Sequence, residues 1–202
     1  MSDSGSPGAP TWRSAAYTFL LYTSLALIFT LLGILLAPQA AQVGGTRPDE
    51  TIPGHLAELA IFGLLLGVGS AILYGRKGLP LVALTPALTV VLDIDHLPAY
   101  LGFSQTIRPA HSLVFLVCAL TVTAVTIKAL DIDFVVVAGF MGHMAIDTGL
   151  FAPFSPISFQ YYELGPYRPA FALGAILCAL AAGAVLRRRG RVAGTKGGSS
   201  SD

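Results

Sequence analysis

The chain has 202 residues, of which 54% are hydrophobic and only 11% charged, with a formal net charge of +1. Soluble domains carry roughly 25% charged residues, so this composition cannot cover a water-facing surface, and a mean hydropathy of +0.72 points to a helical membrane protein. The near-zero net charge, with no basic cluster interleaved with aromatics, excludes a nucleic-acid binder.

Residues 1–12, "MSDSGSPGAPTW", are rich in Ser, Gly and Pro and predict a disordered N-terminus. Six apolar runs follow, at about 14–37, 56–74, 79–101, 111–129, 132–151 and 169–187. They predict an all-α polytopic membrane bundle of about six transmembrane helices within 13–189. The first run is longer than the 7–15 residues of a signal-peptide apolar region, so it reads as a retained helix. The tail at 190–202 predicts disorder. Cys118 and Cys178 lie inside apolar runs, where they read as packing residues, and neither has zinc-like spacing to a histidine.

Basic residues between the runs set an orientation. With six spans, one side collects Arg13, Arg76, Lys77, Lys128, Arg187, Arg188, Arg189, Arg191 and Lys196, and the other only Arg47, Arg108 and Arg168. Nine against three predicts cytoplasmic termini in a cell membrane.

The same topology gathers the polar residues. "GHLAE" sets His55 and Glu58 on one helix face; "DIDH" supplies Asp93, Asp95 and His96; "RPAHS" supplies Arg108 and His111; "GHMAID" sets His143 and Asp147 four apart on one face. Every histidine falls in the outer layer, although the orientation was read from Lys and Arg alone. Singly, each has a bland reading: a hydrogen-bonded His at a helix end, a solvated terminus for "DIDH", a snorkelling Arg108, a solvated or supporting Glu58. Jointly they predict a shared site, because unpaired ionisable groups in hydrocarbon are costly and a divalent cation would resolve the charge. Carboxylates and neutral imidazoles suit zinc first and manganese second, as one or two ions. Asp131 and Asp133, at the opposite end of the fifth run, read as charge at a helix N-terminus. Ser112 adjoins His111 but cannot face it on a helix, which argues against a Ser nucleophile.

The four motifs, in this order and spacing, resemble the YdjM-like membrane proteins, a family of predicted membrane-bound metal-dependent hydrolases. The resemblance covers about residues 52–160, including "PFSPIS" at 153–158. Leu92 stands where the family has Pro, and Ala110 where it has Thr. By position, the resemblance implies a metal set of His55, Asp93, Asp95, His96, His111, His143 and Asp147, with Arg108 facing substrate. A more distant similarity to zinc-dependent phospholipase C enzymes implies phosphoester hydrolysis.

The expected function is therefore hydrolysis of a lipid or lipid-linked phosphoester at the outer membrane face by a metal-activated water. Asp95 or Asp147 would serve as general base if not a ligand, and Arg108 would bind an anion. Two alternatives stand beside it. One is a non-catalytic protein whose metal ties helices together; the other is an ion transporter, against which the apolar inner halves of the spans argue.

Overall fold

The structure is a computed structural model that describes residues 10–36, 52–96, 108–147 and 150–196. Of the disorder expected at 1–12 and 190–202, residues 1–9 and 197–202 lie outside these, while Trp12 and 190–196 belong to helices. Among the described residues there are six α-helices: α1 (Trp12–Leu36), α2 (Ile52–Tyr74), α3 (Leu79–Val91), α4 (Leu113–Thr126), α5 (Leu130–Ile146) and α6 (Arg168–Lys196). They form an all-α bundle. A two-residue antiparallel pair, β1 (Leu150–Phe151) with β2 (Tyr162–Glu163), ties down the segment between α5 and α6.

Four helical stretches are long and apolar enough to cross a membrane: Trp12–Leu36, Gly54–Leu73, Gly75–His96 and Gly165–Arg189. The remaining two helices are shorter than the sequence predicts. α4 has 14 residues, about 21 Å at 1.5 Å per residue, against roughly 30 Å of hydrocarbon. α5 has 17 residues and ends at Ile146, where the sequence pattern continues to 151. α3 is also cut short: it leaves α geometry at Val91 and continues as a 3₁₀ turn to His96, while 97–101 lie outside the described residues. α6 runs past Arg187 to Lys196.

α5 is the centre of the bundle. It packs along α6 and against α2, α3 and α4. Ile132, Val135, Val136, Phe140 and Met144 are fully buried on it, as expected of a helix apolar on every side. The second face of the core comes from α1 and α4, where Tyr22 meets Phe115 edge-on with centroids 5.0 Å apart. Ser112 begins α4 as its N-cap, accepting the Phe115 amide at 3.0 Å.

α2 and α3 approach closely because α2 carries Gly63 and Gly67 on one face, the spacing that lets membrane helices touch backbone to backbone. A Cβ on Gly63 would fall 2.6 Å from Pro86 Cα, and one on Gly67 would fall 2.9 Å from the Val82 carbonyl oxygen. Gly69 faces open space. Gly63→Ala therefore forces the two helices apart. We expect it to lower stability by about 1–3 kcal/mol, the range for overpacked interfaces, while Gly69→Ala leaves the melting temperature unchanged; thermal unfolding of both variants in detergent measures this.

Candidate metal centre

Four separate pieces of backbone deliver polar side chains to one end of this bundle. His55 sits in the first turn of α2. The turn Leu92–His96 carries Asp93, Asp95 and His96. In 3₁₀ geometry residues three apart eclipse, so Asp93 and His96 share a row, with Oδ1 and Nε2 3.5 Å apart, while Asp95 turns inward and is fully buried. A second 3₁₀ turn, Pro109–His111, buries His111 directly before α4. α5 contributes His143 in its last turn and Asp147 as its C-cap. Arg108 reaches into the middle from the start of the second turn.

The two buried histidines are held through their Nδ1 atoms. His143 Nδ1 lies 2.7 Å from the Thr89 carbonyl oxygen, in the last turn of α3. His111 Nδ1 lies 2.7 Å from Asp95 Oδ2. Both partners accept hydrogen bonds, so each Nδ1 is the protonated nitrogen and each Nε2 of the neutral ring carries a lone pair. Those two Nε2 atoms face each other at 2.7 Å. Two facing lone pairs repel unless a proton or a cation reaches them, and the Arg108 guanidinium already touches the His111 nitrogen. This is the arrangement of metal-binding imidazoles, whose second nitrogen donates to a carboxylate or backbone carbonyl.

Asp93 is the common neighbour of the remaining groups. Its Oδ2 lies 3.6 Å from His55 Nε2, and its Oδ1 lies 3.6 Å from His143 Nε2 and 3.9 Å from His111 Nε2. Two triads can offer one ligand atom each within 4.8 Å: Asp93, His96 and His111, or His111, His143 and Asp147. They share His111. Asp95, expected as a ligand, stands behind His111 rather than among the converging Nε2 atoms.

The local cation is Arg108. Its Nη1 donates to Asp147 Oδ2 at 2.7 Å, its Nη2 lies 3.4 Å from Asp93 Oδ1, and Nη2 also contacts His111 Nε2. Burial alone would lower the guanidinium's pKa, but Asp147, Asp95 and Asp93 outweigh it and hold the group above its ordinary value. Among the described residues, three carboxylates, Asp93, Asp95 and Asp147, surround this one guanidinium in a largely buried cluster. The mouth lies on one side. His55, His96 and Arg108 side chains are 20%, 19% and 19% exposed, whereas His111 and His143 are fully buried.

All seven histidines and aspartates expected at the site, and Arg108 with them, meet here. Glu58 does not: it points to the exposed side of α2. Asp131 and Asp133 sit at the other end of α5, where Asp131 pairs with Arg189 at 2.7 Å and Asp133 accepts from Thr123 at 3.0 Å. Two contributors escape a side-chain reading. The Thr89 carbonyl orients His143, and Arg168 donates from Nε to the Ala145 carbonyl at 2.9 Å, fixing the end of α5 beside Asp147. Comparison of the chain with protein-family models, curated proteins and solved structures finds no match.

Removing the guanidinium leaves buried carboxylates without their cation. Arg108→Gln is expected to destabilise the metal-free protein by about 3–5 kcal/mol, the cost of breaking a buried ion pair from one side. Unfolding in the presence of a chelator reads the loss, and unchanged stability would show that the guanidinium is not needed there.

Proposed function

We propose that this chain is a multi-pass membrane protein with both termini cytoplasmic, whose polar cluster holds a divalent metal ion at the outer face and hydrolyses a lipid or lipid-linked phosphoester. The observation that carries the metal reading is the pair of inward-facing Nε2 lone pairs of His111 and His143, 2.7 Å apart, each fixed by an acceptor on Nδ1. The gathering of Asp93, Asp95 and Asp147 around the same buried imidazoles supports the same reading, because carboxylate oxygens are further donors to a divalent ion. Imidazole and carboxylate donors favour zinc, then manganese. The motif resemblance to the YdjM-like proteins supports the hydrolase class.

His111, His143, Asp93 and Asp147 would hold the ion, with His55 and His96 completing the set on the open side. A bound ion would lower the pKa of a water and polarise the oxygen of the bond being cleaved. Asp95 orients His111 and raises its basicity as a ligand through Nδ1. Arg108, at the mouth and already bonded to Asp147, has the planar donor fork that a phosphate recognises.

A non-catalytic, helix-tying metal is the second reading, favoured by the complete burial of His111 and His143. Transport has less support. Below the cluster, buried Thr85 and Thr89 hydroxyls donate to their own helix, to Leu81 and Thr85 carbonyls, so among the described residues α3 offers no onward polar relay.

Metal analysis of purified protein should show bound zinc or manganese in the wild type and none in His143→Ala or Asp147→Ala, with phosphoester hydrolysis lost in both. Full metal content in His143→Ala would overturn the proposal. Metal retained in a wild type inert toward phosphoesters would select the structural reading. Asp95→Asn should weaken metal binding about 10–100-fold, the effect of removing a ligand-orienting partner, and a competition titration with a chromogenic chelator measures it.

A further inference from the structure

The end of the bundle away from the metal centre carries a second built feature. Gly33, near the end of α1, packs on Pro109 beside the cluster. Trp12 begins the same helix, so at 1.5 Å per residue it lies roughly 30 Å away. There a shallow, open cleft lies between the start of α1 and the α2–α3 turn, lined by Pro10, Thr11, Trp12, Arg76, Lys77 and Pro80.

Its walls are fixed by local structure. Thr11 caps α1: its Oγ1 accepts the Ser14 amide at 3.1 Å, and its own amide donates to Ser14 Oγ at 2.9 Å. Gly75, at φ +61°, turns the chain into the 3₁₀ segment Gly75–Gly78, which presents Arg76 and Lys77. Both cations are exposed, and among the described residues no carboxylate lines the cleft. Among the described residues the exposed charge at this end has one sign. Arg13, Lys128, Arg187 and Arg188 are exposed as well, while Asp131 is buried against Arg189 and Asp133 is bonded to Thr123. Trp12 is 61% exposed, an amphipathic ring of the kind that settles at a membrane interface. On the flanking ends of α2 and α3, Leu79, Leu73 and Ile72 are exposed, the last 80%.

We propose that this cleft binds the headgroup of an anionic phospholipid, its phosphate on Arg76 and Lys77 against Trp12, with acyl chains along Leu79 and Ile72. The two cations supply the charge recognition. The exposed apolar side chains beside them select a lipid over a free anion. The inference is independent of the metal centre.

Trp12 is the chain's single tryptophan and therefore reports on its own cleft. The full chain is reconstituted in phosphatidylcholine vesicles containing a low, equal fraction of either brominated phosphatidylglycerol or brominated phosphatidylcholine. Tryptophan quenching by the anionic lipid should exceed that by the zwitterionic one several-fold. The double variant Arg76→Gln with Lys77→Gln should bring the two to the same level, with helicity by circular dichroism confirming that the bundle is intact. Arg187→Gln with Arg188→Gln should keep the preference. Equal quenching in the wild type, or a preference that survives loss of Arg76 and Lys77, overturns the proposal. So does a preference lost equally with Arg187 and Arg188, which would make it a property of the whole basic end. Relief of quenching by millimolar inorganic phosphate would also overturn it, assigning the cleft to the free anion.

Discussion

The hydrogen bond from His143 Nδ1 to the Thr89 carbonyl fixes more of this protein than its single contact suggests. It links the central helix α5 to the last turn of α3, at the point where α3 gives up α geometry. A carbonyl there has lost its helical partner, and the imidazole supplies one. The bond also sets the tautomer of His143, and so aims a lone pair at His111, whose own ring is set by Asp95. Burial of both rings makes the arrangement strict, because a misplaced proton would leave a buried donor or acceptor unsatisfied.

The helix packing serves that geometry. Gly63 and Gly67 let α2 lie against the α3 backbone at Pro86 and Val82. This brings the first turn of α2, with His55, to the same end as the Leu92–His96 turn. Gly139 of α5 similarly seats Leu88 of α3. Close backbone contact, rather than interlocking large side chains, sets the register of the three helices that carry most of the polar groups. The shortness of α4 and α5 follows from the same end. Both give way to irregular backbone beside His111 and Asp147, where side chains must turn toward a common centre. Irregular backbone at such depth is tolerated where protein surrounds it.

Charge is sorted along the bundle axis. Carboxylates and imidazoles gather at one end around Arg108. At the other end the carboxylates are engaged internally and the exposed groups are cationic. Between them the buried side chains are apolar or are threonines bonded to their own helices.

The sequence by itself determined the helical membrane class, the six helical segments and the seven His and Asp residues, with Arg108, that come together. Those properties follow from composition and from the cost of ionisable groups in an apolar run, both of which are local. Helix ends were less legible: the shift of α3 into a 3₁₀ turn at Leu92 depends on what Asp93 and His96 must reach. The division of labour within the cluster was not legible at all. "DIDH" offers Asp93 and Asp95 as equals. Only the packed structure puts Asp93 among the converging Nε2 atoms and Asp95 behind His111. The role of the Thr89 carbonyl was equally hidden, because every residue carries one. Which carbonyl is left for a histidine is decided by where two helices cross, and that crossing is a property of tertiary packing.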